Sequence, residues 1–244
     1  MSFLKDHPFA VEAFLDSTLV LTFAVPYKEL EHFLPYCFDL DKYEKTWAFF
    51  AVATVQTRDL RPKGFPKIFG NDFYLIGYRL FVMFKDRAGR KFRGLYILKS
   101  ETDSKKMMYL GNFFTHYNYS MTDVKQTQTG TLIEIKSETS GFHILVDTDN
   151  PEMEMPKESP LEDWKDARRF TGPLPYTFRF NKAKKAVLTV LGSRRNWKPQ
   201  LVKVLDYNIP FLKELNIKGA VLASAFLMKD IPYNWKKGEF EKVL

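Results

Sequence analysis

The sequence predicts a mainly β protein of the α+β class: a large curved antiparallel sheet, closed into a barrel, with two or three short helices plugging or flanking it. Three observations carry this. Strand-like segments far outnumber helical ones, and the longest are arranged strand, tight turn, strand between residues 72 and 100. Phe alone accounts for 23 of 244 residues, which suits a wide aromatic interior of the kind that also lines apolar pockets. Closure hides the edges that so long a sheet would otherwise expose. With 45% hydrophobic residues and no linker, repeat or low-complexity tract, a single domain over residues 1–244 is expected.

The first strand is expected over residues 17–25, STLVLTFAV, ending at Pro26. A short helix follows, with Leu30, Phe33 and Leu34 on its apolar face and Pro35 as its stop. Residues 46–59 form a long strand rich in Ala, Val, Thr and Phe. Pro62, Gly64, Pro66 and Gly70 mark residues 60–71 as a loop long enough to fold over a cavity mouth.

Residues 72–84, DFYLIGYRLFVMF, are apolar on both faces at period two, so this strand is covered on both sides. Arg79 breaks the pattern. Its guanidinium keeps its proton and needs a carboxylate, a run of carbonyls or a bound anion. The turn over residues 86–89 leads into a paired strand over residues 91–100. If Lys85 faces Lys91, Arg79 lies opposite Ile97 and Lys99 opposite Gly77, which puts Arg79 and Lys99 on one face. Two cations there would favour a bound carboxylate or depress the lysine pKa enough for a Schiff-base nucleophile. The alternatives are an internal salt bridge for Arg79 and a solvent-seeking Lys99.

A short helix over residues 104–110 contains Lys105 and Lys106, expected to face solvent. It leads to a strand over residues 113–120, FFTHYNYS, in which His116 and Tyr117 form a candidate acid–base pair. Runs at 124–129, 131–139 and 142–148 continue an antiparallel meander. An acidic loop over residues 147–158 precedes a helix from Pro160 to Phe170, with Ser159 as cap and Glu162 as capping-box acid. The last third is again strands, at 176–181, 186–192, 201–206 and 221–228, with a helical turn near 211–215.

The charge is +8, but 29 acids are mixed with the bases along the chain. Only residues 181–205 are one-sided, with Lys182, Lys184, Lys185, Arg194, Arg195, Lys198 and Lys203 around Trp197. Such a run can track a phosphate backbone, though more often it is a solvated edge that discourages strand addition. The four histidines lack metal-ligand spacing, and the chain has no nucleophile elbow, phosphate loop or dinucleotide fingerprint, so neither metal nor cofactor is expected. The single cysteine, Cys37, the absence of a membrane-length apolar run and the acids in the N-terminal stretch lead to an expected cytoplasmic location, with no membrane partner.

VPYKELEHFLPYCFDLDKYEKTWAFFAV has a Val-Pro, a short helix ending Leu-Pro, an aspartate and an aromatic-rich strand. YRLFVMFKDRAGRKFRGLYILKS has Arg79 and a Gly-x-Tyr at Gly94 and Tyr96. These stretches resemble the domain of unknown function 2071 family of the acetoacetate decarboxylase-like superfamily. THYNYSM stands where that family has Leu-Pro-Tyr, a small residue and Met, so Tyr117 and Met121 match. The resemblance implies a cone-shaped antiparallel barrel around a ligand cavity. Acetoacetate decarboxylases carry a Gly-Phe-Pro-Lys-Lys motif on the strand after the short helix; FFTHYNYS has no lysine, so that Schiff-base position is not inherited. The leading expectation is a protein that binds a small organic acid or keto acid. Arg79 would hold the carboxylate, with Tyr96 and Tyr117 as ligand-binding residues and Lys99 and His116 as catalytic candidates. The alternatives are a lyase or decarboxylase using Lys99, and nucleic-acid binding through residues 182–203. Homo-oligomerisation is left open.

Overall fold

The structure is a computed structural model and describes residues 3–152, 154–194 and 198–243. Strand β1 (Val11–Pro26) begins well before the continuous apolar run, because Ala13 and Leu15 already turn inward between Glu12 and Asp16. The helix expected after it is instead two 3-10 turns, Tyr27–Glu29 and Glu31–Phe33. Between Pro26 and Pro35 the segment is too short to sustain an α-helix, and the tighter turns suffice to bury Leu30 completely. Then come β2 (Phe38–Leu40), β3 (Trp47–Pro62), a 3-10 turn Lys67–Phe69 inside the expected loop, β4 (Asn71–Lys85) and β5 (Lys91–Thr102). Helix α1 (Lys105–Phe114) is capped by Ser104, whose hydroxyl accepts from the Met107 N–H at 3.3 Å.

After α1 only Tyr119–Met121 is strand, β6; residues 113 and 114 still belong to the helix. Three short strands, β7 (Lys125–Thr129), β8 (Leu132–Lys136) and β9 (His143–Asp147), make the expected antiparallel meander. Helix α2 (Trp164–Phe170) starts later than its proline suggests. Asp163 caps it by accepting from the Asp166 N–H at 2.8 Å, while the Ser159 hydroxyl is engaged by the Ala223 carbonyl at 2.8 Å. The chain continues through β10 (Tyr176–Asn181), β11 (Ala186–Arg194), β12 (Gln200–Leu201), β13 (Lys203–Asn208), α3 (Pro210–Glu214), β14 (Val221–Trp235) and β15 (Glu239–Lys242).

The main sheet curls on itself. Pairing runs β14–β1–β3–β4–β5–β10–β11, and β11 closes back onto β14 through Gly192 opposite Trp235 and Arg194 opposite Tyr233. The ring is antiparallel except at β5–β10, which is parallel. The chain reaches β10 only after a long excursion through two helices and the meander, the kind of crossover a parallel pair requires. The meander does not extend the ring. With β13 it forms a second, four-stranded antiparallel sheet, β13–β9–β8–β7.

The two faces of β4 do different things. Tyr74, Ile76, Tyr78, Leu80, Val82 and Phe84 join a cluster that includes Ile133, Ile135, Ile144 and Val146 of the second sheet. Phe81 belongs to a separate cluster with Phe49, Leu95 and Met228, and Phe73, Leu75 and Arg79 share its face. The β4–β5 register follows the alternation from Lys85 opposite Lys91 to Arg79 opposite Ile97, then slips: Tyr78 faces Lys99 and Gly77 faces Ser100. Leu98 is the extra residue of a β-bulge, and the Asn118 side chain donates to its carbonyl at 2.9 Å. The bulge turns Lys99 to the Tyr78 face. Arg79 and Lys99 therefore do not share a face, contrary to the expectation from strict alternation.

Candidate functional site

Every strand of the ring contributes to the wall of one cavity of about 570 Å³, so the cavity lies inside the ring. Leu15 and Thr18 come from β1, Val55 and Thr57 from β3, Leu75 and Arg79 from β4. Ile97 and Ser100 come from β5, Thr177 from β10, Arg194 from β11, Ile231 and Tyr233 from β14. Helix α1 adds Met107, Leu110 and Phe114, and the 60–71 loop adds Phe65 and Phe69, which are also exposed and so mark the mouth.

Arg79 presents part of its surface to this cavity and is otherwise enclosed by protein. Its guanidinium lies directly over Gly77: a Cβ there would come within 2.9 Å of Nε and Nη2. Burial pulls the guanidinium pKa below its ordinary value, and the phenols of Tyr233, Tyr117 and Tyr119 oppose that pull. Among the described residues no aspartate or glutamate lines the cavity. Two further arginines line the cavity: Arg194 donates to the Pro173 carbonyl, and Arg61 pairs with Glu12 at 2.7 Å.

The same face gathers three tyrosines. Burial pushes the Tyr119 hydroxyl up to about 12 and raises those of Tyr117 and Tyr233 as well, so all three remain protonated donors at neutral pH. Tyr119 is held at its backbone by Asn112, whose side chain accepts from the Tyr119 N–H and donates to its carbonyl, both at 2.8 Å. Its ring sits where a side chain on Gly111 would be, and the Tyr233 hydroxyl sits where one on Gly192 would be. Three glycines on three elements thus open the space that the polar cluster occupies. Because the atoms above Gly77 are the end of a flexible side chain, Gly77→Ala is expected to fold and displace the guanidinium, and would weaken any anion held by it about tenfold; an anion bound with unchanged affinity by calorimetry would show that the guanidinium position is immaterial.

Buried polar atoms without a hydrogen bond concentrate here. Among the described residues there are six such side-chain atoms, and four of them, His7 Nε2, Thr18 Oγ1, Arg79 Nε and Tyr117 OH, belong to residues lining this cavity. Folded proteins leave few such groups, and clustering marks a place where partners arrive from solution. The His7 ring lies 5.1 Å from that of Tyr117, tilted by 53°, and burial, with the nearby His116 adding to it, lowers its pKa from 6.5 to about 4. Between those two values the unfolded chain binds a proton that the folded chain refuses, so stability present above pH 6.5 falls as the pH drops. The loss should reach about 2 kcal/mol by pH 5. Urea unfolding at pH 7.5 and 5 checks this. His7→Asn, whose side chain tolerates the left-handed backbone at φ 50°, should remove most of that difference.

The other sequence-predicted residues lie elsewhere. Lys99 pairs with Glu101 at 2.7 Å, 5.0 Å from the Phe211 ring, and Glu101 also accepts from the Tyr78 hydroxyl at 2.9 Å. Tyr96 points to the Tyr78 side of the sheet, packs on Phe38 at 5.6 Å and accepts from Arg179 at 3.2 Å. His116 turns away from Tyr117 to the buried Asp6 at 3.1 Å, which also binds Lys184 at 2.7 Å. The cavity therefore receives Arg79 and Tyr117 but not Lys99, Tyr96 or His116. Lys106, expected to face solvent, is exposed but contributes to the cavity wall. The basic run is dispersed: Lys184 pairs with Asp6, Lys203 with Glu154 at 3.3 Å, and Arg194 points into the ring, while Arg195 and Trp197 lie outside the described residues. Among the described residues no three His, Cys, Asp or Glu converge to hold a metal ion. No helix among them is long and apolar enough to cross a membrane.

Tyr119, Tyr233, His7, Thr18 and Arg194 were not singled out as cavity residues by the sequence. Tyr119, two residues after Tyr117, carried the only local signal.

A family model described as DUF2071, uncharacterized conserved protein, matches residues 13–234. No curated protein matches the sequence. Among solved structures the chain is similar to acetoacetate decarboxylase from Legionella pneumophila, at 11% identity and TM-score 0.61 over 96% of this chain and 87% of that one. It is likewise similar to an acetoacetate decarboxylase-like enzyme from Sphingomonas wittichii RW1, at 10% identity and TM-score 0.61 over 99% and 94%. A third is the enduracididine biosynthesis enzyme MppR complexed with the condensation product of pyruvate and imidazole 4-carboxaldehyde, at 11% identity and TM-score 0.61 over 96% and 89%. At these identities the likeness is one of fold.

Proposed function

Because this chain belongs to the domain of unknown function 2071 family and has the fold of the acetoacetate decarboxylase-like proteins, we propose that it binds an organic acid or keto acid inside its ring, with Arg79 holding the carboxylate. Fold alone does not carry a function; the residues of the site do. One observation carries it: an enclosed guanidinium with no hydrogen bond at Nε, in a cavity whose wall contains no acid. A carboxylate would supply the missing charge and accept from the guanidinium in a two-point contact, with the Tyr117 hydroxyl as a further donor. That one structural neighbour was captured with a pyruvate-derived ligand is in keeping with this chemistry.

Lys99 has no part in the reading. It is committed to Glu101 and points to the other face of the hairpin, so a Schiff base formed there would not meet a ligand held by Arg79. Titration with pyruvate, acetoacetate and acetate, followed by thermal unfolding, tests the proposal. Carboxylates should raise the midpoint in a concentration-dependent manner, and their methyl esters should not. Equal effects of acid and ester would remove the basis for a carboxylate site.

A further inference from the structure

The cavity is too large and too apolar to be explained by a short keto acid alone. Phe9, Val20, Leu60, Leu95 and Leu110 make much of the wall hydrocarbon, and its polar side chains include Arg61, Asn71 and Lys106 besides Arg79 and the tyrosines. A volume of about 570 Å³ falls in the range that ligands of drug size fill, roughly 300–1,000 Å³. An acid of a few heavy atoms would leave most of that space to water, against a wall that is largely hydrocarbon. The apolar lining continues to the surface: Phe65 and Phe69 line the cavity while 54% and 57% exposed, and Ile68 between them is 87% exposed.

Resting on the carboxylate reading above, we propose that the ligand is a free monocarboxylic acid with an extended apolar body, of the medium-chain alkanoate or arylalkanoate class. Its carboxylate sits on Arg79 and its body runs along the hydrocarbon wall toward Phe65 and Phe69. Charge complementarity favours Arg79 as the partner of the carboxylate, because Arg61 is paired with Glu12 at 2.7 Å, Arg194 donates to the Pro173 carbonyl and Lys106 is exposed.

Calorimetry of the full chain with acetate, butyrate, hexanoate and octanoate below micelle-forming concentration tests this, with pyruvate and octanol alongside. Affinity should rise about fourfold per methylene as each is buried. Octanol, lacking the charge, should bind at least tenfold more weakly than octanoate. Phe69→Ser, at an exposed position that leaves folding intact, should weaken octanoate severalfold and leave pyruvate unchanged. Pyruvate or acetate binding as tightly as octanoate would overturn the apolar-body inference while leaving the carboxylate site standing. Octanol matching octanoate would overturn the carboxylate contact, and the proposal with it. Binding by no carboxylate at all would end both.

Discussion

Replacing Arg79 by methionine should make the protein more stable while abolishing carboxylate binding. An arginine chosen for folding would behave in the opposite way. Arg79 is enclosed, makes no hydrogen bond at Nε and faces no acid, so its charge is uncompensated in the free protein. Burying an unpaired charge is costly, and methionine fills similar volume with no charge to desolvate. Because part of the side chain faces a cavity that can hold water, the gain is set at about 1–2 kcal/mol, below the upper end for packed interiors. For a chain of this length that corresponds to roughly 2–8 °C in the unfolding midpoint. The variant should also lose its thermal response to carboxylates. A lowered midpoint would mean that the guanidinium has a structural partner within the protein, and the site would lose its anchor.

Lys99→Met should move stability the other way and leave ligand binding untouched. Glu101 is 5% exposed and is held by the Lys99 ammonium at 2.7 Å and the Tyr78 hydroxyl at 2.9 Å. Removing the lysine strands a carboxylate in an apolar cluster. The full penalty for breaking a buried pair is discounted here because the Lys99 side chain is 27% exposed, giving a loss of about 1–3 kcal/mol. Denaturant unfolding measures the loss, and calorimetry with octanoate should return the wild-type affinity. A variant that keeps its stability but no longer binds would place Lys99 in the site after all. The pair of substitutions, of opposite sign on adjacent strands of one hairpin, is a direct test of the bulge at Leu98.

The hairpin itself was legible because its signals are local. The turn at residues 86–89 and the apolar alternation on both sides of it place Arg79 opposite Ile97 and Phe81 opposite Leu95, as observed. Alternation also marked Arg79 as an anomaly. The Lys99 assignment failed at a single residue: a bulge has no strong signature of its own, and here it is stabilised by Asn118, contributed by a segment beyond α1. One extra residue reverses every side chain after it, which is why Lys99 left the cavity. Tyr96 followed from the opposite oversight. It alternates with Leu95 and Ile97, both of which line the cavity, so it must face away from Arg79. His116 and Tyr117 are neighbours in sequence that serve different partners, Asp6 and the cavity, in the bend between α1 and β6.

From its sequence alone this protein is determined to be a mainly β chain of the acetoacetate decarboxylase-like fold, with a cationic residue in an apolar strand. Periodicity, turn chemistry and family motifs are properties of neighbouring residues, and they survive without coordinates. Closure of the ring through β11 and β14, the transfer of the meander to a second sheet, and the meeting of Arg79 with Tyr117, Tyr119 and Tyr233 were decided only in three dimensions. Those contacts join residues up to 154 positions apart, from Arg79 to Tyr233, and they depend on space left by Gly77, Gly111 and Gly192. Nothing local distinguishes a glycine that opens a cavity from one that merely turns the chain, because the difference lies in what packs against it.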